Sequence, residues 1–194
     1  MKEQYMKILK DNNLNYLYHF TNIVNLDSIL KHGILSVQEM KERNIKYSCT
    51  DPNRNDNQLD CISLALSKAN TSMLFAKRMN IDSEWIIFEI EAGFIINEYY
   101  DSIYYCKYNA ASQSTIKFLK EHKDYMKSPN AFQSMFDNNK KPFPQSEILL
   151  KDKPISLYFI TKIYVQNIQI KMIVEQIIKM NNYPIPVEIK EEMF

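Results

Sequence analysis

Glycine occurs only twice in 194 residues, at Gly33 and Gly93. That scarcity removes the two commonest ways of holding a nucleotide. A G-x-G-x-x-G turn and a G-x-x-x-x-G-K-[ST] loop both need several glycines, because their backbones adopt positive φ and lie directly against phosphates. Rossmann and P-loop binding are therefore excluded. Any nucleotide chemistry in this chain must be built on another scaffold, from side chains at strand and helix ends.

The remaining composition is that of a globular protein. Apolar residues make up 45% and charged residues 24%, and the length suits one domain spanning residues 1–194 with a substantial core. Net charge is +1, so a nucleic-acid partner would have to meet a local basic groove and not a polycationic surface. No apolar run approaches the ~20 residues that span a bilayer, and Met1-Lys-Glu-Gln-Tyr does not open a signal peptide. The expected compartment is the cytoplasm, with no membrane partner. Cys49, Cys61 and Cys106 are scattered without a C-x-x-C pair, and the three histidines lack H-E-x-x-H spacing. Neither a disulfide framework nor a bound metal is expected.

Periodicity gives helices and strands without regular alternation. Residues 2–12 form an amphipathic helix, and Tyr16–Phe20 a short strand. Leu26, Ile29 and Leu30 share a helical face, with Asn25 or Asp27 as N-cap and Gly33 closing the helix in the αL position. Ser36-Val-Gln-Glu39 has capping-box spacing for a second short helix. Strands follow at Asp60–Ser67 and Glu84–Glu91, with a helix at Thr71–Met79 between them. Tyr99–Tyr108 reads as extended, Ser112–Lys123 and Pro129–Phe136 as helices, Glu147–Lys151 and Phe159–Gln166 as strands, and Ile168–Met180 as a helix before an extended tail. The pattern predicts an α+β fold with a split, mainly antiparallel sheet and flanking helices.

Two distant segments carry the chemistry. The first is Tyr16-Leu-Tyr18-His19-Phe20-Thr21-Asn-Ile-Val-Asn25, running on to Gly33 and Ser36; the second is Pro144-Gln145-Ser-Glu147-Ile-Leu-Leu150. On a strand, Gln145 and Glu147 would share one face while Ile148 and Leu150 turn to the core. Taken alone, a His at a strand end is most often a packed side chain. A Gln-x-Glu is most often a solvated strand edge, and an Asn at position 25 is a helix cap.

Together the two segments resemble the ADP-ribosyltransferases, and within them the DarT-type enzymes that attach ADP-ribose to a DNA base. The resemblance runs over residues 16–166. It includes Arg54 before the Asp60–Ser67 strand, the aromatic strand at Trp85–Ile90, and Asn109-Ala-Ala-Ser112. It implies an ADP-ribosyltransferase-like fold that uses NAD as substrate, with Tyr18, His19, Phe20, Thr21, Asn25 and Arg54 around NAD. Glu147 and Arg54 are the implied catalytic pair. Glu147 would hold the ribose 2′-hydroxyl as nicotinamide departs, stabilising the positive charge that develops. Arg54 would pair with the NAD phosphates or stabilise the anion of a deprotonated base. The implied acceptor is a base in single-stranded DNA, with RNA as the alternative. The implied biology is a toxin held in check by a macrodomain-type antitoxin. The rivals are an ADP-ribosyltransferase acting on RNA or protein, an RNA 2′-phosphotransferase, and a silent module that binds NAD or nucleic acid. Tyr99, Tyr100, Tyr104, Tyr105 and Tyr108, interleaved with Lys107, are candidates for stacking on bases.

Overall fold

The computed structural model describes residues 2–48, 58–67 and 84–194. The helix expected at Thr71–Met79, Cys49 and Arg54 all lie outside the described residues. In chain order the elements are α1 (Lys2–Asp11), β1 (Tyr16–Asn22), α2 (Leu26–His32), α3 (Val37–Glu42), β2 (Cys61–Ala65), β3 (Trp85–Glu91), α4 (Ala92–Tyr99), β4 (Ile103–Cys106), α5 (Gln113–Glu121), α6 (Lys123–Met126), α7 (Pro129–Gln133), β5 (Glu147–Lys151), β6 (Ile160–Val165), α8 (Ile168–Met180) and β7 (Val187–Ile189). The strands form one seven-stranded sheet in the order β4-β5-β2-β1-β3-β6-β7. Every adjacent pair is antiparallel except β6–β7. The α+β expectation with a mainly antiparallel sheet is met.

One face of the sheet carries the main core. Ile62 and Leu64 of β2, Ile86, Phe88 and Ile90 of β3, and Ile148 and Leu150 of β5 alternate onto it, as period-2 geometry requires. Tyr5, Ile8 and Leu9 of α1, Leu26, Ile29 and Leu30 of α2, and Ile170, Val174 and Ile178 of α8 cover it at helical spacing. Phe132 of α7 is fully buried, with its ring stacked 4.5 Å from Tyr105. Truncating it to alanine would cost about 3–5 kcal/mol through lost burial and the cavity left behind. A second, smaller cluster joins Cys61, Tyr104, Cys106 and Leu149 to Leu119 and Met126 on the opposite face.

Three local readings are corrected. Tyr99–Tyr108 is not one extended run: α4 occupies Ala92–Tyr99, and only Ile103–Cys106 is strand. The buried residues of α4, Ala92, Ile95 and Ile96, sit at helical spacing directly after a strand buried at every position from Trp85 to Ile90, so the change of period is masked. Asn25 occupies the N-cap position of α2, but its side chain makes no capping bond. Gly33 does take positive φ (+78°), but its ψ of −178° is not left-handed helical. Its close approach to the segment at Ile155 supplies a second reason for glycine there. Ile34 and Ile155 exchange backbone hydrogen bonds of 2.9 Å, and a Cβ on Gly33 would lie 2.5 Å from the Ile155 carbonyl oxygen. The capping box at Ser36 and Glu39 is present as read.

Candidate active site at the split of the sheet

β1 pairs with β3 at seven positions but with β2 at only one, Tyr18 opposite Ala65. The sheet is therefore two ribbons, β7-β6-β3-β1 and β2-β5-β4, joined at a narrow seam. One register row crosses the whole seam: Lys162, Glu89, Tyr18, Ala65, Glu147 and Cys106. Adjacent strands carry their aligned side chains on a common face, so Tyr18 and the two glutamates share one side of the sheet.

Glu147 opens β5 and is half-buried. Its carboxylate is clasped from two directions. The Ser63 hydroxyl, on the neighbouring β2, donates to one oxygen, and the Ala110 backbone N–H donates to the other. Ala110 can do this because the Asn109 side chain accepts from the Ala111 N–H at 2.7 Å, fixing the turn that leads into α5. The Asn-Ala-Ala segment thus positions the carboxylate and is more than a packed helix start. Charge-assisted bonds of this kind fix a carboxylate in place before any ligand arrives.

His19 bridges the two ribbons. Its Nδ1 lies 3.1 Å from the Ser63 carbonyl oxygen. A carbonyl can only accept, so the proton of a neutral ring sits on Nδ1, leaving Nε2 as the acceptor atom. Ser63 therefore touches both candidate residues, His19 through its backbone and Glu147 through its hydroxyl. On the far side of His19, Thr21, Asn25, Ile29, Gly33 and Met40 help enclose a cavity of about 40 Å³. That is far below the 300 Å³ or more that a whole cofactor-sized ligand requires. Asn25 lines it as a clamp. Its amide nitrogen donates to the Thr21 hydroxyl and to the Ser48 carbonyl, both at 3.0 Å, while its oxygen accepts from the Ser48 N–H at 2.7 Å. This holds the chain at the entrance to the segment carrying Arg54.

Tyr18 and Phe20 are half-buried on the same face as Glu147. Burial, and then the neighbouring Glu89 and Tyr16, push the Tyr18 hydroxyl up to about 12, so it stays protonated at neutral pH. Gln145 departs from its sequence reading. It lies before the strand, in a turn closed by the Ser146 N–H on the Phe143 carbonyl at 3.0 Å. Pro144 and Gln145 are the two corner residues, and Gln145 has a φ of +70°. That is the positive φ a type II turn requires after a corner proline. Gln145 and Glu147 do not share a strand face.

Sequence reasoning missed Ser63 and Glu89. The alternation Ile62-Ser63-Leu64 puts Ser63 on the face away from the core, but nothing local says which carboxylate it meets. Glu89 carried a signal: a single acid inside the run Trp85–Ile90, whose other members are all buried and apolar. It is itself buried. It accepts hydrogen bonds from the Tyr164 hydroxyl at 2.6 Å and the Thr161 hydroxyl at 2.8 Å.

Comparison with known proteins agrees with this architecture. The family model described as ssDNA thymidine ADP-ribosyltransferase, DarT, matches residues 18–194. A search of curated proteins finds no sequence match. Among solved structures, Thermus sp. 2.9 DarT in complex with ADP-ribosylated ssDNA superposes with a TM-score of 0.63 at 16% identity, over 94% of this chain and 97% of that one. The same protein in complex with NAD+ gives 0.63 at 14% identity, over 93% and 98%. Thermosipho africanus DarTG in complex with ADP-ribose gives 0.60 at 19% identity, over 93% of this chain and 51% of that one. The chain therefore spans about half the length of the Thermosipho protein. A mainly antiparallel sheet opened at a seam, with flanking helices, is the architecture shared with these DarT structures. The chain belongs to the DarT family of ssDNA thymidine ADP-ribosyltransferases.

Proposed function

We propose that this chain cleaves NAD at the seam and transfers ADP-ribose to thymidine in single-stranded DNA, with Glu147 as its catalytic carboxylate. One observation supports this above the rest. Glu147 is held by two donors from separate parts of the chain, across the seam from a histidine of fixed tautomer. In the reaction the bond from ribose C1 to the nicotinamide nitrogen breaks, and its electron pair leaves with nicotinamide. Positive charge grows on the ribose, and a preorganised carboxylate against the 2′-hydroxyl stabilises it. The only thymine ring nitrogen not already bonded to deoxyribose then bonds to C1 and loses its proton to solvent. In a duplex that N–H is engaged in base pairing, so an unpaired strand avoids the cost of extracting the base.

His19, with Tyr18, Phe20, Thr21 and Asn25, forms the NAD-holding wall. Arg54 takes the negative charge of the diphosphate or of the deprotonated base. The chain works as one unit in the cytoplasm, where NAD and DNA are both available. A modification of this kind blocks its own host's DNA, which calls for an antitoxin able to remove ADP-ribose, such as a macrodomain protein. No described helix is long and apolar enough to cross a membrane.

The test is incubation with labelled NAD and separate pools of single-stranded DNA, duplex DNA, RNA and protein. Label should appear on thymidine of the single strand and fall sharply when a complement is annealed. Label confined to RNA or to protein would overturn the acceptor.

A further inference from the structure

We propose that the cavity beside the edge strand β4 is a second base-binding subsite, which stacks a nucleobase flanking the acceptor thymidine. The proposal rests on the reading of this chain as a transferase acting on single-stranded DNA. The cavity has a volume of about 390 Å³ and lies among β4, α5, α6 and α7, walled by Tyr105, Lys107, Tyr108, Thr115, Phe118 and Tyr125 among others. That size suits a ring-sized ligand.

Four observations point to a flat ring with a polar edge. Phe118 and Tyr125 meet edge to face at 5.8 Å, yet they are 40% and 44% exposed, and Tyr108 is 54% exposed. Three aromatic side chains left in water around one concavity form a stacking platform without its occupant. Tyr105 lines the same cavity with its hydroxyl buried, and that hydroxyl meets no hydrogen-bond partner among the described residues. A buried donor left unmade is costly, and a base carbonyl or ring nitrogen would satisfy it. Lys107 holds its ammonium 4.2 Å from the Phe143 ring centroid and 5.6 Å from that of Tyr108. It is one of seven lysines against three acids between residues 107 and 141, in a chain whose net charge is only +1. An aliphatic ligand would make no use of the hydroxyl or of the charge; a nucleotide uses both.

One short segment also ties the cavity to the candidate active site. Lys107 and Tyr108 wall it, and two residues later the Ala110 N–H holds Glu147. The Ser146 hydroxyl, next to Glu147, donates to the Lys107 carbonyl at 2.9 Å. A strand with its thymidine at Glu147 therefore passes along the Lys107–Ala110 segment. Of the tyrosines named from sequence, Tyr104 is excluded from this surface by burial against Leu119 and Met126. Phe118 and Tyr125 take the stacking role instead.

The experiment uses oligonucleotides with one thymidine and an abasic residue moved through the flanking positions, with transfer rates measured for wild-type, Phe118→Leu, Tyr125→Leu and Tyr105→Phe. The first two keep apolar bulk and remove the π-face, and calorimetric NAD titration should show unchanged affinity in all. In the wild type, one abasic position should slow transfer about ten-fold, the scale of one base–aromatic stack. In Phe118→Leu and Tyr125→Leu the fully based strand should be slowed by a similar factor, with little further loss at that abasic position. Tyr105→Phe should raise the unfolding midpoint while weakening the preference among bases at the same position. Multiplicative losses, or no sensitive flanking position, would overturn the subsite. A wild-type enzyme that leaves all DNA unmodified would overturn the underlying acceptor reading, and this proposal with it.

Discussion

Glu89 and Glu147 occupy one register row of one sheet, separated by β1 and β2 and so roughly 14 Å apart at ordinary strand spacing. Among the described residues each accepts two hydrogen bonds, yet their surroundings differ. Glu89 is 5% exposed, and its donors, the Tyr164 and Thr161 hydroxyls, come from the neighbouring β6 in the tightly paired ribbon. Glu147 is half-exposed at the seam, and its donors come from β2 and from the turn before α5. A carboxylate closed in by its own sheet can hold strands together but cannot meet a substrate. One held at an opening keeps its orientation and remains reachable. Tyr18 lies between them, and Glu89 helps keep its hydroxyl protonated.

Substitutions at the two acids should therefore fail in different ways. Glu147→Gln should lower transfer by about 10²–10³-fold, the usual scale for losing one preorganised charge-stabilising group. Its unfolding midpoint should stay close to wild type. Glu89→Ala should instead cost about 2–4 kcal/mol by leaving two hydroxyls without their buried acceptor, read by urea denaturation. Transfer per folded molecule should fall far less than with Glu147→Gln. Ser63→Ala removes a hydroxyl donor on Glu147 and should slow transfer by about ten-fold, with NAD affinity little changed.

The smallest effect lies at the far end of β5. Burial pushes the Asp60 carboxyl up, but hydrogen bonds from Lys151 and Cys61, with the Lys151 charge, outweigh it and hold the group below its ordinary value. A lowered folded-state value means that this stability is present above the unfolded carboxylate range and is lost as pH falls through the folded value. Asp60→Asn should flatten that acid limb in thermal melts between about pH 5 and pH 2, with no change at the active site.

How much could be read from the chain itself follows the range of the interactions involved. Helix α8 and strand β5 were legible to the residue, because cap, period and stop are all local. Glu147 and His19 stand out in the sequence through the pattern their segments share with a known family. What joins them was not. The row from Glu89 to Cys106 depends on pairings between strands far apart in sequence, and no local periodicity encodes that register. Ser63 meets Glu147 only through the pairing of β2 with β5. Gln145 was misread because a corner proline puts it in a turn, and the strand begins at Glu147, two residues later than the alternation suggests.

The most direct test follows a thymidine-containing single strand incubated with NAD and wild-type, Glu147→Gln or Glu89→Gln protein. Intact-mass spectrometry detects the ADP-ribose adduct, and NAD affinity is measured in parallel. The account predicts the adduct with wild type and with Glu89→Gln, and almost none with Glu147→Gln although NAD still binds. Adduct formed by Glu147→Gln at near the wild-type rate would contradict it, as would equal loss in both variants.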